Sequence, residues 1–313
     1  MSRGQSPGHV RDGPVLNRGM TALKPLLVLI AVTAVWGVTF VQVKDAVALY
    51  PLFAFLALRF AIASLTLAPP GVRRLRSLGR GGWAAAAYAG ALLGAGYALQ
   101  TAGLERTSVS STGFITGMYV VLTPLLALAL FRVHVALAAW LGVGVALAGL
   151  AMLAGIHAGA PAGDLLVLGG AAAFALQIVL MERYAPRYDP LALTLAELVG
   201  SLACLLVVAL ARGELSVPHG ATVWSALLVT GIVASALAFL VQTWAQRRTS
   251  ATRTALAFTM EPVFAAIFGF ALAGDRLGSM AWLGCAVIMC GIVIAEPAAA
   301  AALVRLVRGR ATA

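Results

Sequence analysis

The sequence predicts an all-α membrane protein with ten transmembrane helices arranged as two inverted five-helix repeats. Three observations support this fold class: an apolar composition, a biased distribution of basic residues and an internal repeat. Of the 313 residues, 61% are hydrophobic and only 11% are charged, and the mean hydropathy is +0.96. These values lie far outside the range of soluble globular domains.

Apolar runs recur along nearly the whole chain, each long enough to cross a hydrocarbon core of roughly 30 Å as a helix. The ten predicted spans are residues 25–43, 51–68, 83–100, 110–131, 136–155, 165–181, 190–211, 223–244, 251–273 and 280–294. They divide into a first repeat at 25–155 and a second at 164–298. Residues 1–24 are predicted to be a disordered cytoplasmic tail, and residues 299–313 a basic cytoplasmic tail.

The basic residues are concentrated in alternate loops. A formal net charge of +11 could indicate a nucleic-acid partner, so its distribution decides its meaning. With the N terminus placed inside, sixteen Lys and Arg residues fall in inside segments, and four fall in outside loops: Lys44, Arg106, Arg212 and Arg276. This bias predicts that both termini are cytoplasmic. The charge is therefore explained by membrane topology, and no nucleic-acid partner is expected.

A five-span unit occurs twice in the chain. The apolar stretch at 26–29 recurs at 165–168, an offset of 139 residues, and Trp-Leu-Gly at 140–142 recurs at 282–284, an offset of 142. Because five is odd, the second copy is expected to insert upside down relative to the first. Such repeats can pack in two nearly equivalent ways, one open to each side of the membrane. This is the geometric basis of alternating access.

A carboxylate and a helix breaker interrupt the ninth predicted span, TALAFTMEPVFAAIFGFAL. Glu261 and Pro262 lie at its centre, and Pro124 interrupts the fourth span at nearly the equivalent repeat position. Proline kinks a helix, and inverted-repeat carriers bind their solute where helices are interrupted near the midplane. A carboxylate there costs at least roughly 2.5 to 3.5 kcal/mol. We therefore expect Glu261 to line a polar cavity, where it contacts the solute, carries a proton or hydrogen-bonds a neighbouring helix.

Other polar and aromatic side chains lie within the predicted spans. Arg59 is expected to bind an anionic group of the solute or to pair with a helix-end carbonyl or a carboxylate, for which Glu197 is one candidate. The glutamines either join helices or line the cavity. The candidate substrate-binding or cavity-lining residues are Trp36, Arg59, Gln100, Tyr119, Gln177, Glu197, Gln242 and Glu261, and the helix-break residues are Pro124 and Pro262.

Several motifs resemble one family of transporters. They are Trp36-Gly37, Leu58-Arg59-Phe60, the run GLERTSVSSTGFITGMYVVLTPLLA from Gly103, Glu261-Pro262-Val263 and GDRL at 274–277. Over residues 25–298 the chain is similar to the EamA-type carriers of the drug/metabolite transporter (DMT) superfamily. The resemblance implies a ten-helix carrier of the bacterial inner membrane, with a central cavity between two five-helix halves. Such carriers are often exporters of amino acids or related metabolites.

This chain departs from the family pattern at one loop. Where such carriers often have an acidic residue after the fourth span, it has Phe131-Arg132-Val133-His134. A role that requires a matched acidic pair in the two equivalent loops is therefore in doubt.

The sequence argues against an enzyme. Catalysis or metal binding would need convergent acid, base or ligand groups, but the cysteines match no zinc or disulfide spacing, and the histidines fall in the tail or loops: His9, His134, His157 and His219.

We predict a secondary transporter for small metabolites, with efflux of amino acids as the first hypothesis. The alternative is an uptake carrier or uniporter for a sugar or nucleoside; a channel suits two paired halves less well. No cofactor or metal is expected, while proton coupling and a homodimer stay open.

Overall fold

All regular secondary structure in the described part of the chain is helical. The computed structural model describes residues 15–107, 109–154, 161–272 and 277–295. Two 3-10 turns (Val72–Ser77 and Ala185–Arg187) and one π-helical segment (Val229–Leu237) connect α-helices. The α-helices are α1 (Val15–Leu49), α2 (Leu52–Gly71), α3 (Gly79–Leu104), α4 (Val109–Gly117), α5 (Tyr119–Phe131), α6 (Leu137–Ala154), α7 (Pro161–Tyr184), α8 (Pro190–Ala211), α9 (Ala221–Leu228), α10 (Ala238–Gln246), α11 (Ala251–Phe258), α12 (Met260–Leu272) and α13 (Ser279–Ala295).

Six helical stretches among the described residues are long and apolar enough to cross a membrane. They are Leu23–Leu49, Leu52–Ser77, Ser111–Phe131, Pro161–Arg187, Pro190–Ala211 and Ala221–Gln246. Two further apolar helices, Leu137–Leu153 and Ser279–Ala295, are shorter. The all-α class is confirmed, and the chain is a multi-pass membrane protein. The count of ten crossings stays a prediction, because α3 is rich in alanine and glycine and the ninth span is divided between α11 and α12.

Large apolar side chains cover the outer surface of the helices. Leu65 is 71% exposed, Leu137 is 74% exposed and Leu165 is 70% exposed. Monomeric soluble proteins rarely expose apolar surface as continuous patches, whereas lipid chains solvate it without cost. The interior, in contrast, holds both the aromatic core and most of the polar side chains that lie within the helices.

The two halves of the chain repeat the same helices. Helix α3 and the continuous stretch from α9 through the π-helical segment to α10 are offset by 142 residues at both ends, and α6 and α13 begin at the same offset. Helix packing follows this equivalence. Helix α1 packs on α12, and the equivalent helix α7 packs on α5, the equivalent of α12. In the same way α3 packs on α7, and its equivalent α10 packs on α1. Two equivalent pairs pack on each other directly: α2 on α8, and α6 on α13. This exchange of partners is what a two-fold axis between the halves produces.

Glycines allow the helices nearest this axis to approach closely. A Cβ atom added to Gly142 would lie 2.5 Å from the carbonyl oxygen of Gly291, and one added to Gly291 would lie 2.7 Å from that of Gly142. Gly149 and Gly284 show the same reciprocal relation, each at 2.7 Å. Since the earlier residue of α6 meets the later residue of α13, the two helices run antiparallel. Repeat-equivalent helices in antiparallel contact require an axis that is perpendicular to them.

The predicted fourth and ninth spans are each broken into two helices. The breaks fall at Met118 and Thr259, one residue apart on the repeat alignment, and at each the backbone N–H donates to the carbonyl three residues earlier at 3.1 Å. Pro124 and Pro262 lie inside the helices that follow, α5 and α12. Because proline lacks the N–H that would bond four residues back, each weakens the helix just after its break.

Helix α1 begins earlier than the sequence analysis predicts. It starts at Val15 rather than at residue 25, so the predicted disorder of residues 1–24 is corrected for 15–24. Gly19 is the weakest helix former of this segment before Pro25, and the helix continues through Pro25 although proline removes one backbone bond. Residues 1–14, 273–276 and 296–313, which include the predicted C-terminal tail and most of the GDRL motif, lie outside the described residues.

Candidate functional site: a cavity between the two halves

A central cavity brings together seven of the eight predicted binding residues. About 680 Å³ of space, including space continuous with solvent, lies between side chains contributed by both halves. The predicted residues in its lining are Trp36, Arg59, Gln100, Tyr119, Gln177, Gln242 and Glu261. Glu197 is the exception, because it is fully buried behind the lining on α8. Pro124 and Pro262 are also absent from the lining, and they lie within α5 and α12, after the breaks at Met118 and Thr259.

Arg59 is a buried cation in the cavity wall. It is 3% exposed, its Nε donates to Ser235 Oγ at 2.8 Å, and its guanidinium carbon lies 4.3 Å from the centroid of the Tyr97 ring. The ion pairs among the described residues are at exposed sites and do not include it. The pair between Arg59 and Glu197 considered from the sequence is therefore not formed. A buried charge without a counterion is costly, and the cavity leaves room for a ligand to supply one.

Glu261 faces the same cavity from α12. It is 8% exposed, and one carboxyl oxygen lies 3.5 Å from the hydroxyl of Tyr119, at the limit of hydrogen bonding. Helix α1 packs tightly against this point, since a Cβ atom on Gly37 would lie 2.9 Å from the Glu261 carbonyl oxygen. The carboxylate and the guanidinium of Arg59 thus share one cavity without forming an ion pair.

Trp36 connects the cavity to the π-helical segment. Its indole N–H donates to the carbonyl oxygen of Ala234 at 2.8 Å, and its ring meets Phe258 edge-on at 4.8 Å between centroids. Ser235, the next residue, accepts the bond from Arg59. A π-helical segment inside an α-helix often marks a functional position. Here it supplies partners to two cavity residues, whereas the equivalent part of α3 is regular α-helix.

The three predicted glutamines take different hydrogen-bond partners. Gln100 donates to Thr116 Oγ1 at 2.9 Å. Gln177 donates to Glu197 at 2.6 Å and accepts from Gln242 at 3.0 Å. Glu197 therefore reaches the cavity only through an amide that lines it.

Residues at equivalent repeat positions meet inside the cavity. At the 142-residue offset, Tyr119 corresponds to Glu261, and these two residues touch. Tyr97 likewise corresponds to Phe239, and their ring centroids are 6.2 Å apart. Because equivalent residues contact each other only next to a symmetry axis, the cavity lies on the axis that relates the halves.

Several residues that line or support the cavity were not predicted from the sequence. Tyr97, Phe174, Phe239 and Phe258 form aromatic contacts around the cavity, and Ser235 holds Arg59. Isolated aromatic and hydroxyl side chains in apolar helices are too common to single out. The repeat alignment could have found Tyr97 and Phe239, because it pairs two aromatic residues. Among the described residues, no group of three or more His, Cys, Asp or Glu residues lies together as a metal site would require.

Comparisons with known proteins identify a family, a relative and a solved structure that the chain resembles. The model of a family described as the EamA-like transporter family matches the chain twice, at residues 23–155 and 161–295. The chain is 30% identical over 281 residues to a protein of Archaeoglobus fulgidus described as an "Uncharacterized transporter", covering 88% of this chain and 87% of that protein. It also resembles a protein of known crystal structure with a TM-score of 0.74 and 20% identity, over 88% of this chain and 97% of the other, which is a likeness of fold.

Proposed function

The chain belongs to the EamA-like transporter family of the DMT superfamily, and from this premise we propose that it is a secondary transporter of small metabolites that works by alternating access. Amino acids or related compounds are the proposed solutes, and efflux across a bacterial inner membrane is the proposed direction. Two inverted five-helix repeats, ten crossings and cytoplasmic termini are part of this proposal. The antiparallel contact of the equivalent helices α6 and α13 supports the inverted arrangement.

One observation supports the proposal most directly. The cavity on the axis between the halves holds a cation, Arg59, and a carboxylate, Glu261, and neither forms an ion pair among the described residues. Arg59 can bind a carboxylate, and Glu261 can bind an ammonium group. Trp36 and Tyr97 also line the cavity, and their rings offer apolar surface to the remainder of the solute. A zwitterion with an apolar part satisfies all three features. Helix breaks at equivalent places let both halves bend around the site.

Counterflow in proteoliposomes tests this function. Vesicles containing the purified chain are loaded with unlabelled L-phenylalanine, L-leucine or L-threonine, and uptake of the labelled amino acid is followed. We expect saturable uptake that is stimulated by solute on the opposite side. In Arg59→Met, loss of a charged hydrogen bond of about 1.5 to 3 kcal/mol is expected to raise the half-saturating concentration roughly tenfold to a hundredfold.

The matched control removes an arginine that lies outside the cavity. Arg187→Met affects an exposed residue beside Tyr184 and is expected to leave counterflow unchanged. Linear uptake without competition would contradict a carrier and indicate a channel. Counterflow of glucose or uridine but of none of the amino acids would contradict the proposed solute class and favour the sugar or nucleoside alternative.

A further inference from the structure

A chain of buried side chains lies within and directly behind one wall of the cavity. We call it the amide relay and define it as Glu197, Gln177, Gln242 and Gln246, which are 0 to 2% exposed. Gln177 Nε2 donates to Glu197 Oε1 at 2.6 Å, and Gln242 Nε2 donates both to Gln177 Oε1 at 3.0 Å and to Gln246 Oε1 at 2.9 Å. Gln246 Nε2 donates to the carbonyl oxygen of Ile178 at 2.8 Å. Two members of the relay, Gln177 and Gln242, line the cavity.

Both ends of the amide relay are fixed by acceptors. A backbone carbonyl cannot donate, so the amide nitrogen of Gln246 must face Ile178 and its oxygen must face Gln242. The carboxyl oxygen of Glu197 that faces Gln177 accepts, so the amide nitrogen of Gln177 faces Glu197 and its oxygen also faces Gln242. Gln242 therefore meets two acceptor oxygens. Only its NH₂ group, with two hydrogens, satisfies both.

This polarity leaves one atom of Gln242 available to a ligand. None of the described residues donates a hydrogen bond to its Oε1. Some buried side-chain atoms in the described residues are both fully enclosed and without a partner, but this oxygen is not one of them. Since Gln242 lines the cavity, this oxygen is the side-chain acceptor of Gln242 that a bound donor can use. Gln100, its equivalent at the 142-residue offset, likewise uses its NH₂ group on Thr116. The carboxylate of Glu261 adds further acceptors to the same cavity.

We propose that Glu197 is a positioning residue: it fixes the polarity of the amide relay and thereby makes the wall at Gln242 a binding site for a hydrogen-bond donor, with a primary ammonium group of the solute as the ligand class. This inference rests on the proposed function, which it deepens. Glu197 itself does not touch the solute. Its second carboxyl oxygen has no partner among the described residues, so the relay is the only polar contact that its side chain makes there.

The role needs an acceptor oxygen at position 197 rather than a charge. Glu197→Gln keeps a carbonyl oxygen that can accept from Gln177, whereas Glu197→Met has a similar length and no acceptor of comparable strength. In Glu197→Met the amide of Gln177 loses its anchor and is free to turn its nitrogen towards Gln242. Gln242 would then meet a donor, and its own carbonyl would be drawn away from the cavity. Ser201→Ala is the matched control on the same helix, since the Ser201 hydroxyl donates only to backbone carbonyls, those of Gly90 and Glu197, and is not hydrogen-bonded to any side chain of the relay among the described residues.

The experiment measures ligand-induced shifts in the unfolding temperature of the purified full chain. The probes are 2-phenylethylamine, which has an ammonium group and no carboxylate, and 3-phenylpropionate, which has the reverse. We expect the amine to stabilise the wild type. In Glu197→Met the amine concentration for a half-maximal shift should rise roughly tenfold, the effect of one lost hydrogen bond to a charged group. Glu197→Gln and Ser201→Ala should stay near the wild type, and no variant should change the response to 3-phenylpropionate comparably.

The outcomes separate this inference from the proposed function. Equal amine affinity in Glu197→Met and wild type would overturn the positioning role, as would no amine shift in the wild type. A loss in Glu197→Gln as large as in Glu197→Met would show that a carbonyl oxygen at position 197 is not sufficient, which also contradicts the role stated here. An intact amine response without amino-acid counterflow would contradict the proposed function alone.

Discussion

At the scale of single residues, the cavity is built from buried polar groups that are each held by a specific partner. Arg59 is the clearest case, because Ser235 and Tyr97 fix the direction of its guanidinium group while leaving its charge unpaired. The bond from Nε to Ser235 removes one donor that would otherwise be buried without a partner. Ser235 therefore contributes both to stability and to the direction in which Arg59 faces.

Replacing Ser235 should reveal both contributions. Ser235→Ala leaves the Nε–H group without an acceptor and is expected to lower the free energy of unfolding by about 1 to 3 kcal/mol. Ser235→Thr retains the hydroxyl and should cost less. Ser225→Ala, which removes an exposed hydroxyl bonded within its own helix, is the control and should change little. Unfolding in mixed detergent micelles measures these differences, and equal stability of the Ala and Thr variants would contradict the stated role of the hydroxyl.

The positions that the predicted residues take in the fold have physical causes. Intramembrane charges and amides are expensive in lipid, and five of the seven predicted residues that the fold gathers around one cavity are of these types; the other two, Trp36 and Tyr119, are aromatic. Glu197 met the same criterion, yet it lies behind the wall because Gln177 offers it a partner there. Sequence patterns carry no information about such a choice between neighbouring partners. Ser235 was missed because serine is inexpensive in helices and needs no cavity.

At the scale of helices, close approach is obtained with glycine rather than with interlocking large side chains. Small residues drive helix association in membranes because the gain comes from packing instead of from water exclusion. The contact between α6 and α13 follows this rule, since Gly149 and Gly284 meet each other's backbone. Gly149 and Gly291 are equivalent at the 142-residue offset, whereas Gly149 contacts Gly284, because the two helices are antiparallel.

Two alanine substitutions on α6 test this packing. In Gly149→Ala the new methyl group would lie 2.7 Å from both Gly284 O and Ile288 N, which are backbone atoms that cannot rotate away. The helices must separate, so we expect a loss of about 1 to 3 kcal/mol. Gly144→Ala places its methyl group where no atom lies within 4 Å, and the higher helix propensity of alanine should stabilise it slightly. Equal unfolding behaviour of the two variants would contradict the close contact.

At the scale of the whole molecule, the internal two-fold axis explains why the site lies where it does. Equivalent elements from both halves meet only on the axis, and a cavity there can be reached from either side by the same bending motion. The side chains in the cavity do not follow the symmetry. Tyr119 corresponds to Glu261 at the 142-residue offset, and Arg59 corresponds to Leu198 at the 139-residue offset. In the proposed mechanism, a symmetric frame alternates between two openings while asymmetric side chains bind the solute in one orientation.

The final prediction concerns the direction of the two halves in the bilayer. Ser77 and His219 occupy equivalent positions at the 142-residue offset, and both are exposed beside the start of equivalent helices, α3 and α9. Inverted repeats require these positions to lie on opposite sides, and the arginines around Ser77 predict that it is cytoplasmic.

The test places a single cysteine at either position after Cys204, Cys285 and Cys290 are replaced by alanine. A membrane-impermeant maleimide applied to whole cells should label His219→Cys and not Ser77→Cys, with the reverse in inside-out vesicles. Labelling of both from one side would mean that the halves are parallel, and alternating access through inverted repeats would then be excluded for this chain.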